Sequence, residues 1–577
     1  MVDKLLEDSR FDRNFMRLFD VMLMERRPEK FVSPGRFREF LRVSFQQRKG
    51  LDQIVREIIV ADGVDRQQRP AARFLLERDA EPHVVTRDIG RLFLGADLQC
   101  AQCHDHPSID DYLQSDYYGI YAYLNRSYLY DKEEMGKRVV AEKAEGEASF
   151  FSVIEGGDPE ETSPHLPGEE QQDDPQLAED KRSIVMPAKG VRPVPAYSRR
   201  ARLAEELTSG KYPSFQRNLA NRLWAHMLGR GIVHPLDLHH SDNPPVHPEL
   251  LEVLATWLVK AEFDLRKFVR EIALSQTYQR SSDLPAGLLS HAQQTAVESE
   301  AGALRERKEK LADLSISIRR QQEVFDAEHG EVILRLGKLA TSRQQLTASE
   351  KVDREKLADI DGEIAAVERM RDELARLKEE ASGESQRQQT EMVAIEGQLE
   401  DYRLLGICKT TWANEAASDS AKEEVLQQLM QRWRDRFFCG RVSPLTAEQL
   451  NWSIAEALGV VERYRQEAAA NEAKKEAEKP AGDKQTDPIK RQNRIAAAVY
   501  GKVGNSLFKF IVNVHDRQGQ PLGQYQATAT EPLFLSNSSQ IQDWVNGGQF
   551  SLVERLEKID DDATLAEELY VALLSRR

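Results

Sequence analysis

Apolar residues recur at intervals of three and four from Phe11 through Phe15, Leu18, Phe19 and Met22, the spacing that turns one face of a helix toward a core. A second helical pattern covers roughly residues 35–61, and a third leads from Val84 to Leu98. Ser108 to Leu124 follows, with Tyr112, Tyr117, Tyr118, Tyr121 and Tyr123 crowded into one stretch. Arg199 to Ser282 is again helical in period, broken by Gly229-Arg230-Gly231 and by the stiff turn Asn243-Pro244-Pro245-Val246-His247-Pro248.

Between about residues 291 and 403 proline disappears and Glu, Lys, Arg and Gln dominate. Leu311, Leu314, Ile318 and Phe325 keep a heptad seam, as do Leu357, Ile360, Ile364, Val367 and Leu374. The spacing predicts an antiparallel coiled-coil hairpin turning near Thr347 to Asp353, with arms of roughly 75 Å at 1.5 Å rise per residue. Ala141 to Lys181, acidic and rich in Gly, Pro and Ser, reads as a surface loop or linker. Ala468 to Arg491, dominated by Ala, Glu and Lys, reads as a second linker. Ser506 to Val514 alternates enough to predict a strand, Asp516 to Gly523 supplies turn residues, and the tail from Gln540 returns to helix.

The expected fold is mainly α and multidomain, with a long coiled-coil hairpin insertion and minor β near the C-terminus. Its segments are a helical domain with the cysteine motif at 1–140, an acidic linker at 141–185, a second helical domain at 186–290 and the hairpin insertion at 291–403. A helical continuation of the second domain at 404–467, a low-complexity linker at 468–491 and a final segment of the second domain at 492–577 complete the chain.

A length of 577 residues predicts two to four domains, and 40% apolar with 31% charged residues fits a globular chain with polar helices. A formal charge of −16 repels a phosphate backbone, and no basic stripe overrides it, so nucleic acid is not an expected partner. No run of 18 apolar residues is present, which predicts no membrane span. The first residues form an amphipathic helix without a signal-peptide pattern, a cytoplasmic reading if taken literally; both ends lie inside helical patterns, which suggests a piece of a longer parent.

Only four cysteines occur, Cys100, Cys103, Cys408 and Cys439, too few for a disulfide scaffold. Cys100-Ala101-Gln102-Cys103-His104 has the two thiols and the following imidazole that covalent attachment of a c-type haem requires, with His104 as the axial iron ligand. Zinc is the rival: Cys100, Cys103 and His106 make a C-x2-C-x2-H set that needs one more ligand. A dithiol redox pair and two inert surface cysteines stay open beside them. For the far side of a haem the candidates are His226, His239, His240 and His247, the last held stiffly by its prolines, although each also fits a capping or core histidine. Asp105 and Asp116 could orient imidazoles, and Arg222 and Arg230 could pair with propionates, with a helix cap and salt bridges as the plain readings.

The run Phe93-Leu94-Gly95-Ala96-Asp97-Leu98-Gln99-Cys100-Ala101-Gln102-Cys103-His104-Asp105-His106-Pro107, followed by Asp116-Tyr117-Tyr118-Gly119, resembles the core of a planctomycete domain of unknown function. Its companion domain is resembled by Asn221-Arg222-Leu223-Trp224-Ala225-His226, by Gly229-Arg230-Gly231-Ile232-Val233, by Asn243-Pro244-Pro245 with His247-Pro248-Glu249-Leu250-Leu251, and by Ser275-Gln276-Thr277-Tyr278. The resemblance departs from the family at Phe15 and Phe19, which stand for tryptophans, and at Ser108 and Ile109 after the histidines. It implies an exported, extracytoplasmic protein associated with cytochrome c domains, and it favours haem over zinc. The expected function is therefore c-type haem binding for electron transfer or haem-dependent redox chemistry. The alternative is a zinc-stabilised scaffold whose hairpin recruits a protein partner or a second copy. A redox protein, or a cytochrome c domain of the parent, is the expected partner of the first reading; neither reading names a reaction.

Overall fold

The computed structural model describes residues 1–132, 137–154, 156–282, 297–347, 354–414, 416–442, 445–478, 488–515, 530–546 and 548–574. Helix makes up 65% and strand 6%, so the chain is mainly α. It divides into two compact units, one of Met1–Gly231, Ala255–Leu274 and Val442–Arg577, the other of Ile232–Leu254 and Ser275–Arg441.

The first unit opens with α1 (Val2–Leu6) and α2 (Ser9–Met24). Asp8 caps α2 by accepting from the Arg10 N–H at 2.8 Å, and Glu25 ends it in the left-handed region at φ 47°. The helical period buries Phe15, Met16, Phe19 and Leu23, each contributing about 1.5–3 kcal/mol of apolar transfer. The expected pattern over 35–61 is two helices, α3 (Pro34–Gln46) and α4 (Leu51–Val60), because Arg48 turns the chain at φ 55°. Phe45 of α3 meets Phe19 edge-on at 5.3 Å. A short α5 (Arg73–Leu76) places Arg73 and Glu77 in a buried ion pair, each side chain 1% exposed. Glu77 also accepts from the backbone N–H groups of Lys30, Phe31 and Val32, so one carboxylate fixes the loop between α2 and α3.

After α6 (Pro82–Ile89) and α7 (Gln114–Leu124) come three antiparallel two-stranded sheets. They pair β1 (Ser127–Lys132) with β2 (Lys137–Glu142), β3 (Ala148–Ser152) with β4 (Gly156–Thr162), and β5 (Ser183–Val185) with β6 (Val194–Pro195). Part of the segment expected as an acidic linker is thus strand. Helices α8 (Arg199–Leu207) and α9 (Pro213–Leu228) follow, and α11 (Leu265–Leu274), after α10 (Pro248–Lys260), belongs to this unit as well.

The C-terminal part of the unit is helical: α15 (Ala447–Ala457), α16 (Val460–Ala477), α17 (Pro488–His515), then 530–537, 539–546, 552–556 and 562–574. Ser506 to Val514 therefore lies in a helix and not in the expected strand, and Ala468 to Ala477, expected as linker, is helix too. The described β structure sits between Ser127 and Pro195 instead of near the C-terminus; the turn expected at Asp516 to Gly523 falls outside the described residues. Ala455, Leu458, Val461, Val499, Val503 and Trp544 form this part's core. It is stitched to the first helices: the Arg17 guanidinium lies 4.4 Å from the Trp452 ring centroid, Arg26 pairs with Glu448 at 2.9 Å, and Arg38 donates to Tyr500 Oη at 3.1 Å.

The second unit is dominated by α12 (Val297–Thr347) and α13 (Arg354–Ala413), which pack along each other as the expected hairpin; its turn, residues 348–353, lies outside the described residues. The helices measure roughly 76 and 90 Å at 1.5 Å per residue. Val332, Val367 and Leu374 are buried along the seam with Phe325, Leu336 and Leu339 against them, whereas Leu314, expected in it, is 48% exposed. At the base, Leu429 of α14 (Asp419–Asp435) closes over Leu404, Leu405 and Cys408, and Arg432 pairs with Asp401 at 2.9 Å.

Candidate metal centre

The cysteine motif is reached through a local irregularity. Helix α6 continues into one π-helical turn at Gly90–Leu94, and Gly95 ends it in the left-handed region at φ 72°. The chain then folds back so closely that a Cβ at Gly90 would stand 2.9 Å from the Ala96 carbonyl oxygen, which only glycine permits. Asn218 of α9, 1% exposed, locks this corner by donating to the Leu92 carbonyl at 2.8 Å.

Cys100–Gln102 form a single short 3-10 turn. Ala101 is fully buried beneath it, while Cys100 and Cys103 are free and exposed. Three neighbours hold the loop from below. The Val153 N–H donates to the Cys103 carbonyl at 3.0 Å, Tyr118 Oη donates to the Gln102 carbonyl at 3.1 Å, and Gln114 Nε2 reaches the same Gln102 carbonyl at 3.5 Å while donating to the Phe151 carbonyl at 3.1 Å. The β3–β4 hairpin thereby brings the segment of Phe151, Val153 and Ile154, which are 53%, 60% and 71% exposed, against the Cys103 backbone.

The two histidines of the motif differ in the partner of Nδ1. His104 Nδ1 lies 2.6 Å from the Asp105 carbonyl oxygen, which can only accept, so Nδ1 carries the hydrogen and the Nε2 lone pair is left for a metal. His106 Nδ1 lies 3.2 Å from the Ser108 backbone N–H, which can only donate, so in the neutral ring its hydrogen sits on Nε2. His106 also packs edge-on against Tyr112, with centroids 5.9 Å apart. Among the described residues, no three His, Cys, Asp or Glu side chains gather as a metal site. A c-type haem needs no such cluster, because two thioethers and one imidazole suffice.

The distal candidates are divided between the two units. His226, on α9 in the first unit, meets the Phe15 ring edge-on at 5.4 Å, and burial pushes its imidazole down to about 4. His239, His240 and His247 belong to the second unit. His247 Nε2 donates to the Arg436 carbonyl at 3.0 Å and the ring lies near Phe437 and Phe438. Asp105 accepts from the Gln114 N–H at 2.7 Å, at the start of α7, and burial raises Asp116, whose carboxylate accepts from the Gly168 N–H. Arg222 donates to the Arg91 carbonyl at 2.6 Å.

Sequence reasoning passed over one pair next to the motif: Tyr117 Oη lies 2.9 Å from His83 Nδ1. The crowding of tyrosines was visible; their partner, 34 residues earlier, was not.

No curated protein and no solved structure matches the chain. Two family models do. Residues 1–128 match the family described as PSCyt2, protein of unknown function (DUF1549), and residues 199–394 match PSD1, protein of unknown function (DUF1553). The chain thus carries two domains of unknown function in succession, the first holding the Cys100–His104 loop and the second beginning at α8.

Proposed function

We propose that this chain is a c-type haem protein serving electron transfer or haem-dependent redox chemistry, in an extracytoplasmic setting and in association with a cytochrome c domain, as the planctomycete resemblance implies. The observation that carries this reading is the pair of opposite tautomers at His104 and His106. His104 presents a bare Nε2 and has its other ring nitrogen tied to a carbonyl, the outer contact that ligating histidines make. His106, the imidazole that the zinc set would use, has its Nδ1 lone pair occupied.

The residues present fit the group. Cys100 and Cys103 are free, exposed and held on one turn, so their thiols are accessible for thioether formation. Phe151, Val153 and Ile154, exposed on the segment that meets the Cys103 backbone, offer apolar surface for a flat hydrophobic macrocycle. Cys100, Cys103 and His104 would hold it; when bound, it would supply reversible one-electron exchange. The protein's own part is to fix the His104 ring through Asp105 and to keep the loop rigid through Tyr118, Gln114 and Val153.

Export in a host with haem-attachment machinery tests this. Red protein whose haem absorbance stays with the denatured chain is expected. Cys100→Ser with Cys103→Ser abolishes covalent attachment, His104→Ala alters the Soret band, and His106→Ala leaves it in place. Colourless protein carrying stoichiometric zinc, released by a chelator with loss of fold, overturns the reading in favour of the scaffold.

A further inference from the structure

The aromatic cluster beneath the Cys100–His104 loop has a chemistry of its own. Tyr117 is fully buried, and its phenol has two acceptors within reach, both on His83: Nδ1 at 2.9 Å and the backbone carbonyl at 3.4 Å. An O–H···O contact of that second length is too long to compete, so the phenolic hydrogen points at Nδ1. His83 is only partly buried, and its desolvation lowers its pKa, so it is a neutral base at pH 7. With Nδ1 accepting, Nε2 carries the exchangeable hydrogen.

The rings around this pair are contiguous. Tyr117 and Tyr118 centroids lie 5.2 Å apart, Tyr118 stacks on Phe150 at 5.0 Å, and Tyr121 stacks on His83 at 4.4 Å. Tyr118 in turn donates to the Gln102 carbonyl, inside the cysteine motif. A packed aromatic path therefore joins the motif to a buried phenol that already has a base on its proton. Burial alone would require only that the phenol find some acceptor. An imidazole as that acceptor, on a partly exposed ring, adds a route for the proton.

We propose that Tyr117 with His83 is a redox-active tyrosine site, in which one-electron oxidation of the phenol is coupled to transfer of its proton to the imidazole. In the forward step Tyr117 gives one electron to a one-electron oxidant while the Oη–H bond breaks and an Nδ1–H bond forms on His83. The products are a neutral phenoxyl radical, an imidazolium and the oxidant reduced by one electron. A one-electron reductant reverses the step, and the proton returns to Oη. Placement of the charge on His83 keeps a cation off the fully buried ring, where it would be costly. The site stands whether or not a haem is attached to the loop above it.

The test uses the full chain with Cys100→Ser and Cys103→Ser, so that exposed thiols do not compete, and flash-generated tris(bipyridine)ruthenium(III) as oxidant. The expected result is a long-lived neutral tyrosyl signal by electron paramagnetic resonance, formed more slowly in D2O than in H2O. Tyr117→Phe removes the long-lived signal, and Tyr121→Phe, which loses only a stacked neighbour, keeps it. His83→Gln slows its formation by ~100-fold, the low end of what a positioned base contributes, and abolishes the D2O effect. The unsubstituted pair gives a second measurement: its rate falls on acidification as His83 takes up a proton and can no longer accept one. A long-lived radical that survives Tyr117→Phe, or a rate indifferent both to His83→Gln and to pH, overturns the proposal.

Discussion

His226 is neutral in the folded protein down to about pH 4, because burial against Phe15 disfavours its charged form, whereas an exposed histidine protonates near 6.5. As pH falls from about 6.5 toward 4, the unfolded chain takes up a proton that the folded one refuses, so stability is lost across that window by up to roughly 3 kcal/mol. Asp20 acts in the opposite sense. Burial raises its carboxyl to about 6, so its contribution is fully present below the unfolded value near 4 and is lost as pH rises through 6. The two cross in the same range, and only a variant separates them. In urea titrations, His226→Gln should shed most of the acid-side loss while leaving the Asp20 contribution unchanged. An unaltered pH profile in that variant would show that His226 is not the group responsible.

At the scale of elements, the long hairpin and the irregular entry to the cysteine loop make a contrast. The hairpin is held by a thin seam: most of each helix faces solvent, Val332, Val367 and Leu374 are buried with Phe325, Leu336 and Leu339 against them, and Ile318 and Ile395 are buried further along. Val367→Asp should therefore leave an unpaired charge in that seam and weaken the hairpin by about 3 kcal/mol. The expected outcome is loss of helical circular dichroism at lower temperature, with amide exchange in Ser9–Met24 of the first unit unchanged. The turn at Gly90–Leu94 is instead fixed by backbone contacts and by Asn218, and no apolar period announces it. The β-hairpins were illegible for a related reason. Strands such as Gly156–Thr162 are nearly all polar, and they pair through register with Ala148–Ser152, without a buried alternating face. Ser506 to Val514 misled in the opposite direction: a short apolar run reads as strand or helix until its length is known, and here it ends a 28-residue helix.

For the whole molecule, the first unit is assembled from both ends of the chain. Arg17 on Trp452, Arg26 with Glu448 and Arg38 with Tyr500 join helices more than 400 positions apart in sequence. A chain ending at residue 441 would strip Arg17 of its ring and leave Arg26 and Arg38 without these partners, at a cost of about 0.5–2 kcal/mol for the cation–π contact alone. Amide exchange in Ser9–Met24 should then quicken by at least about tenfold, corresponding to 1.4 kcal/mol or more. Unchanged protection would mean that the C-terminal helices are passengers. Among the described residues no helix is long and apolar enough to cross a membrane, as the composition implied.

Local order determined what the sequence could disclose by itself. Helical period, heptad seam and the two-thiol, one-imidazole motif are all properties of residues a few positions apart, and physics at that range needs no partner. The base beside Tyr117, 34 residues away, and the packing of His226 against Phe15 depend on atoms brought close by the folded backbone. Tertiary structure alone decided those, because a side chain's proton and charge follow whichever distant groups surround it.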